Sequence, residues 1–215
     1  MRFEVAALLF DIDGTLVDST AVVERSWRGW ASDRGIDADA VLRVCHGRRS
    51  ADTVALFVLP ADQTAAVADL DRRELEDFDG IVALPGSRQL LSRLPADRWA
   101  AVTSGSQRLM RARLQAAGLP TPEILVSGED VANGKPAPDG YLRAAAALGW
   151  SIDRCLVIED APAGIDAARA AGAQVLAVTT THDPSRLATA DAVIPDLTAS
   201  TVEITDSGLV LTTRQ

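Results

Sequence analysis

Short apolar runs that end in polar clusters recur along the chain, and this alternation limits the possible folds more than any other feature. Val5 to Phe10 is continuously apolar, as is typical of a strand buried on both faces of a parallel sheet. Five further runs are also typical of strands, and segments of helical character separate them: 100–103, 124–126, 156–158, 175–178 and 192–194. Strands that alternate with helices predict a doubly wound α/β fold, with helices on both faces of a parallel sheet.

Proline and glycine mark the ends of the predicted helices. Three helices are predicted, each followed directly by a glycine: 106–117, 138–148 and 162–171. Pro138 and Pro162 open two of them, where the missing N–H costs nothing. Near the C-terminus, residues 202–205 and 209–212 flank a turn sequence and predict a β-hairpin.

A segment after the first strand breaks this alternation, because it shows helical patterning and no convincing strand. We expect residues 1–18 and 81–215 to form the α/β core, and residues 19–80 to form a helical insert. Trp27 and Trp30 lie three residues apart on one helix face. They are predicted to belong to the core of the insert rather than to stack on a ligand.

Composition excludes several classes of protein. The 215 residues are 47% hydrophobic and 24% charged, as in globular chains. The apolar runs are far shorter than the roughly 20 residues of a membrane helix, and Asp11 ends the first run too early for a secretory signal. We therefore expect a soluble, cytoplasmic protein without membrane partners. The sequence leaves the oligomeric state open, and a monomer is the expectation. The net charge of −9 argues against nucleic-acid binding. Cys45 and Cys155 form no CxxC pair and are interpreted as small core residues.

Two acidic pairs follow predicted strands at the points where those strands end. Asp11 and Asp13 come after the first run, and residues i and i+2 of an extended segment point the same way, so their carboxylates crowd together. Glu159 and Asp160 follow the run 156–158. Ligands of open α/β sheets bind at the carboxyl ends of strands, so the pattern predicts convergent carboxylates that hold Mg²⁺. The alternative for the first pair is two solvated carboxylates in a loop.

Hydroxyl and backbone groups at two strand ends are typical of a phosphate site. Gly14 and Thr15 form a turn whose N–H groups can bind an anion. Ser104 and Gly105 follow the run 100–103 and precede a helix, whose N-terminus favours negative charge. Ser106 is more typical of a helix N-cap, which makes Ser104 the better candidate.

Lys135 is the only lysine among 21 basic residues. Two prolines, Pro136 and Pro138, restrict the loop that carries it. A compact ammonium on a flexible stem can reach positions that the planar guanidinium of arginine cannot, so Lys135 is a candidate functional residue. The alternative is codon bias with one surviving lysine.

Four segments, in this order and at these spacings, resemble the four motifs of the haloacid dehalogenase superfamily: Phe10-Asp-Ile-Asp-Gly-Thr-Leu16, Val102-Thr-Ser104, Gly134-Lys-Pro136 and Ile158-Glu-Asp160. Each motif alone is weak evidence, but the four together are specific and span the whole chain. The helical insert resembles the cap of the subfamily that includes sugar-phosphate phosphatases, glycerol-phosphate phosphatases and β-phosphoglucomutase.

The resemblance implies a role for each motif residue. Asp11 would be the nucleophile that forms an aspartyl-phosphate, and Asp13 would act first as general acid and then as general base. Ser104 and Lys135 would bind the transferring phosphoryl oxygens. The implied ligands of Mg²⁺ are Asp11, Asp13 through its backbone carbonyl, Glu159 and Asp160. The implied phosphate-binding residues are Gly14, Thr15, Ser104, Gly105 and Lys135.

Within this subfamily the choice lies between a phosphatase and a mutase. The mutases carry a histidine five residues after the aspartate that corresponds to Asp18, and this chain has Val23 there. The resemblance therefore favours hydrolysis of a small phosphorylated sugar or polyol, with β-phosphoglucomutase-like transfer as the alternative. We expect His46, Arg48 and Arg49 to lie on a cap loop that selects the substrate; the alternative is a solvated basic turn.

Other classes fit the residues less well. A response-regulator receiver also uses an Asp, a hydroxyl residue and a Lys, but its acceptor Asp lies on a later strand. A P-loop requires Ser or Thr where this chain has Pro136. A Ser-His-Asp hydrolase requires a G-x-S-x-G turn, which the chain lacks. A non-catalytic phospho-acceptor or binding module stays open as the remote alternative.

Overall fold

A six-stranded parallel sheet forms the centre of the computed structural model, which describes residues 1–214. In chain order the strands are β1 (Arg2–Val5), β2 (Ala7–Phe10), β3 (Val17–Asp18), β4 (Val82–Ala83), β5 (Trp99–Val102), β6 (Leu125–Val126), β7 (Cys155–Glu159), β8 (Gln174–Val178), β9 (Ala192–Ile194), β10 (Ser200–Thr205) and β11 (Gly208–Thr213). The parallel sheet has the order β6-β5-β2-β7-β8-β9. The first strand of this sheet, β2, therefore lies at its centre, between β5 and β7.

Helices cover the sheet and form the insert. In chain order they are α1 (Thr20–Ser32), α2 (Ala38–Cys45), α3 (Ser50–Val54), α4 (Gln63–Glu76), α5 (Ser87–Leu91), α6 (Gln107–Ala116), α7 (Asp139–Ala147) and α8 (Pro162–Ala171). Within residues 1–214, no helix combines the length and apolar character that crossing a membrane requires. The predicted doubly wound α/β fold is confirmed, and its three predicted helices correspond to α6, α7 and α8.

Strand β2 shows why the central sheet must have helices on both faces. All four of its side chains are completely buried. Leu8 and Phe10 pack into one hydrophobic cluster, and Ala7 and Leu9 pack into another on the opposite face. Alternate residues of a strand point to opposite faces, so a continuous apolar run is what a doubly covered strand requires.

The N-terminal strand prediction is wrong at its first residues. The run from Val5 to Phe10 is not one strand: Val5 ends β1, and β2 begins at Ala7. Strand β1 pairs antiparallel with β11, so it belongs to a separate three-stranded sheet with the order β1-β11-β10. The predicted C-terminal hairpin is confirmed as β10 and β11.

The insert is a group of four helices, α1 to α4, with its own hydrophobic cluster. Trp27 and Trp30 are buried in that cluster and contact each other edge to face, with ring centroids 5.3 Å apart. The Trp30 indole N–H donates to the carbonyl of Ala66 on α4 at 2.8 Å, which ties α1 to α4. Both chain segments that join insert and core are short strands, β3 and β4, which pair with each other.

Candidate functional site

A pocket opens at the carboxyl ends of the central strands, between the sheet and the insert, with a cavity volume of about 80 Å³. Asp11 follows β2, Ser104 follows β5 and Asp160 follows β7, so adjacent strands bring these side chains into one lining. The insert contributes the other wall, including Trp27 and Glu74. The structure therefore brings these motif residues together at the strand ends, as the sequence predicts.

Lys135 contacts Asp11 but does not itself line the pocket. Its ammonium donates to Asp11 Oδ1, to Glu159 Oε1 at 2.7 Å and to the carbonyl of Val102 at 3.2 Å. An ammonium has three hydrogens, and these three contacts use all of them. Lys135 is only 8% exposed. The structure therefore brings Lys135 to Asp11, as expected, but with its donors occupied by protein acceptors.

The Asp11 carboxylate is held by Lys135 at one oxygen only. Among residues 1–214, Oδ2 of Asp11 accepts no hydrogen bond, while its backbone N–H donates to the carbonyl of Ile158 on β7 at 3.0 Å. Burial raises the pKa of Asp11 well above its usual value, Lys135 opposes this rise, and Glu159 and Asp160 add to it. A cation beside these acids would favour the ionised form of Asp11.

Glu159 has no acceptor position left. Its Oε1 accepts from Lys135 and from the hydroxyl of Tyr141 at 2.8 Å, and its Oε2 accepts from the N–H groups of Asp160 at 2.9 Å and Ala161 at 3.1 Å. A carboxylate offers about four lone-pair sites, so all are filled. The role of Glu159 as a metal ligand stays a prediction, and its contacts in this structure orient Lys135.

Asp160 is fixed by hydroxyl groups and by the absence of a side chain at Gly14. Thr15 donates to Oδ1 at 3.0 Å and Thr181 donates to Oδ2. A Cβ at Gly14, which has φ +86°, would lie 2.3 Å from Asp160 Oδ2, so only glycine fits there. Burial, reinforced by the charge of Glu159, raises the pKa of Asp160 to about 7.

The acidic groups fit a hard divalent cation. One oxygen each of Asp11, Glu159 and Asp160 lie within 4.8 Å of one another. Because Glu159 is saturated, Asp11 and Asp160 are the side chains with acceptor capacity left for a metal. Carboxylate oxygens are the ligands that Mg²⁺ prefers, and Mg²⁺ is commonly held by one or two of them together with substrate phosphate and water.

Of the predicted phosphate-binding residues, Gly14, Ser104 and Gly105 line the pocket while Thr15 and Lys135 do not, and their hydroxyl and N–H groups are engaged. The Ser104 hydroxyl donates to the carbonyl of Gly47 in the insert at 2.9 Å. The N–H groups of Gly14, Thr15 and Gly105 each donate to an oxygen within three residues, at 2.8, 3.3 and 3.1 Å. A phosphate must therefore displace the Gly47 carbonyl to reach the Ser104 hydroxyl.

The three basic residues predicted for substrate selection separate into two groups. His46 and Arg48 line the pocket, and burial lowers the pKa of His46. Arg49 does not line it: its guanidinium donates to Asp52 at 2.7 and 2.9 Å and to the carbonyl of Ala132 at 3.2 Å. Arg49 thus connects the insert to the core loop that precedes Lys135.

Sequence reasoning missed several residues of the site. Thr181 follows β8, and the rule that ligands bind at strand ends could have found it. Tyr141 is the only tyrosine of the chain, a signal as plain as the single lysine. Glu74 and Arg113, which also line the pocket, lie on helices without any motif.

The family model for haloacid dehalogenase-like hydrolases matches residues 5–172. The chain therefore belongs to this family of hydrolases. It is 43% identical to hexitol phosphatase A of Escherichia coli (strain K12), over 94% of this chain and 96% of that protein. It is 33% identical to 2-deoxyglucose-6-phosphate phosphatase 2 of Saccharomyces cerevisiae, over 98% and 96%. Among solved structures, a hydrolase from Pseudomonas syringae is similar with a TM-score of 0.82 and 28% identity, over 90% of this chain and 94% of that one.

Proposed function

We propose that the protein is a Mg²⁺-dependent phosphatase that hydrolyses small phosphorylated sugars or polyols through an aspartyl-phosphate on Asp11. The observation that carries this proposal is the asymmetry of the Asp11 carboxylate. Lys135 holds Oδ1, while Oδ2 accepts no hydrogen bond from residues 1–214. One oriented carboxylate oxygen at a pocket is what a nucleophile requires.

The reaction has two displacement steps. Asp11 Oδ2 attacks phosphorus, the bond between phosphorus and the ester oxygen breaks, and Asp13 gives its proton to that oxygen, so the alcohol leaves. Water then attacks the same phosphorus while Asp13 takes a proton from the water, which releases phosphate and restores the Asp11 carboxylate. One residue serves as acid and then as base, so its proton is returned in each cycle.

The remaining motif residues stabilise charge. Asp11 and Asp160 would hold Mg²⁺, together with the backbone carbonyl of Asp13 that the family resemblance implies. When bound, this cation supplies positive charge beside the phosphoryl oxygens. Ser104 would donate its hydroxyl to a phosphoryl oxygen once the Gly47 carbonyl has moved away.

Residues 19–80 would act as the cap of this enzyme, with boundaries that follow the sequence prediction. The contact between Ser104 and Gly47 supports this, because it brings a loop of the insert onto the phosphate side of the pocket. His46 and Arg48 line the pocket and would contact the organic part of the substrate. Arg49 would instead hold the loop to the core.

Water rather than a sugar hydroxyl would accept the phosphoryl group. Val23, which stands where the mutases have a histidine, lines the pocket and offers no group that can take a proton. The names of the relatives point the same way, since hexitol phosphatase A and 2-deoxyglucose-6-phosphate phosphatase 2 are both phosphatases.

The proposal is tested by phosphate release from hexitol phosphates, 2-deoxyglucose 6-phosphate and glycerol 1-phosphate, with Mg²⁺ and with excess EDTA. Asp11→Asn keeps the shape of the side chain and serves as the matched control. We expect phosphate release only from the wild type and only with the metal. Full activity in EDTA, or steady release by Asp11→Asn, would contradict the mechanism, and conversion of β-glucose 1-phosphate to glucose 6-phosphate without phosphate release would favour a mutase.

A further inference from the structure

A buried arginine joins the site to the insert. Arg113, on α6, is 2% exposed and lies between two carboxylates from different parts of the chain. Its Nη1 donates to Asp13 Oδ2 at 2.5 Å, and its Nη2 donates to Glu74 Oε1 at 2.9 Å. Asp13 belongs to the turn after β2, whereas Glu74 belongs to α4 of the insert. These contacts form a continuous chain of ion pairs from the insert to Asp13.

The two contacts need the geometry of a guanidinium. Arginine presents five N–H donors in a rigid planar fork, so it can hold two carboxylates at once, whereas a lysine ammonium acts as a point charge. Glu74 is only 5% exposed. Burial raises the pKa of Glu74, and the adjacent Arg113 opposes this rise, because a buried charge needs a partner.

The contact with Arg113 leaves the two oxygens of Asp13 in different states. Oδ2 is held by the guanidinium, while Oδ1 is buried and has no hydrogen-bond partner among residues 1–214. A buried polar atom without a partner requires an explanation. The oxygen of a leaving group or of an attacking water, placed at Oδ1, would supply the missing partner.

We infer that Arg113 is a positioning residue, which turns Asp13 so that Oδ1 exchanges the proton, and that Glu74 of the insert holds Arg113 in place. The inference rests on the proposed function, because it takes Asp13 as the general acid and base. Since Glu74 lies on the insert, the orientation of the acid depends on the insert being docked on the core. Neither Arg113 nor Glu74 belongs to any of the four motifs.

A comparison of two leaving groups tests the inference. A hexitol phosphate needs protonation of its ester oxygen, whereas p-nitrophenyl phosphate expels a stable anion and needs no acid in the first step. The ratio kcat/KM reports on events up to that first irreversible step. We expect Arg113→Lys to lower kcat/KM for the hexitol phosphate by about 10²-fold, the usual contribution of a positioned acid. The kcat/KM for p-nitrophenyl phosphate should change by less than about threefold.

Glu74→Gln is the second variant, because it preserves volume and removes only the charge that holds Arg113. We expect Glu74→Gln to lower kcat/KM for the hexitol phosphate by about tenfold, again without a matching loss for p-nitrophenyl phosphate. In the double variant Arg113→Lys, Glu74→Gln, the two effects should not be additive. Arg111→Lys, on the exposed side of the same helix, and Glu76→Gln, exposed on α4, are the matched controls and should leave both substrates unchanged.

Two results would overturn the inference. Equal losses on both substrates would mean that Arg113 acts on binding or folding rather than through the acid. Wild-type kinetics of both variants on both substrates would mean that the ion pairs do not position Asp13. Failure of the wild type itself to release phosphate from any alkyl phosphate would instead overturn the proposed function, so the two failures are distinguishable.

Discussion

Gly164 lies directly against the carboxylate of Glu159: a Cβ added to this glycine would be 1.6 Å from Oε1 and 2.0 Å from Cδ. Gly164 is on the first turns of α8, and Glu159 is the last residue of the strand before it. The missing side chain lets the helix approach closely enough for Glu159 to accept from Lys135 and from two backbone N–H groups. A glycine that touches no substrate thus helps to determine where the lysine lies.

Gly164→Ala is therefore expected to displace Glu159 and, through it, Lys135. We expect kcat to fall at least about tenfold and the free energy of unfolding to fall by about 1–3 kcal/mol, as for other overpacked sites. Gly29→Ala is the control, because its Cβ would meet only the end of the flexible Arg73 side chain. Phosphate release and urea denaturation measure both effects, and a Gly164→Ala enzyme with wild-type kcat would contradict the role given to Glu159.

Lys135→Arg tests whether positive charge alone suffices beside Asp11, the proposed nucleophile. The ammonium has three acceptors around it in a buried position, and the longer planar guanidinium cannot reproduce this arrangement. We expect kcat to fall by at least about 10²-fold, as for loss of one preorganised charge contact. Steady-state phosphate release with saturating substrate is the measurement. A near-normal kcat would show that position 135 supplies only diffuse positive charge.

Arg48 and Arg49 are adjacent in sequence but are expected to differ in function. Arg48 lines the pocket, so Arg48→Ala should raise KM, by about tenfold, with little change in kcat, since a remote cation binds ground state and transition state alike. Arg49→Ala removes the contacts with Asp52 and Ala132 and should leave the preference among substrates unchanged. Kinetic constants over a panel of sugar and polyol phosphates distinguish the two, and a changed preference in Arg49→Ala alone would reverse the assignment.

The two cysteines are expected to be inert in the folded protein. Burial disfavours the charged thiolate and raises the pKa of Cys45 to about 12 and that of Cys155 to about 11. At pH 8 the reactive thiolate is therefore below about 1% of either thiol. A disulfide reagent should label neither within minutes in the native state and both in concentrated guanidinium chloride. Because burial raises the pKa of both thiols, the rate of labelling should increase with pH. Rapid labelling of the native protein at pH 8 would contradict the expected inertness of the two cysteines.

The strands and the motif residues could be predicted because both depend on local sequence. Strand β2 needs an unbroken apolar run, and polar residues at its carboxyl end must face the ligand side of the sheet. The start of the strand could not be predicted from hydrophobicity alone, since Val5 is as apolar as its neighbours. The alternating burial of β1 was the available signal, because exposed Arg2 and Glu4 fit a strand with one solvated face.

The ion pairs of Arg113 could not be predicted from the sequence. The chain has 20 arginines, and although Arg113 shares the buried face of α6 with Leu109 and Leu114, nothing local shows which acids it pairs with. Its partners, Asp13 and Glu74, are distant in sequence and meet only when the insert docks on the core. The contacts of Arg49 were missed for the same reason.

The central position of β2 has a consequence for the order in which the molecule can be assembled. Residues 7–10 are synthesised well before their neighbours in the sheet, β5 and β7, with Phe10 opposite Ala101 and Ile158. Because such distant pairings are slow to form, a nascent chain carries Asp11 at the end of an unpaired apolar strand until β5 has been made. A chain that stops short of Glu159 has Asp11 but no completed sheet around it, so catalytic competence requires synthesis through β7.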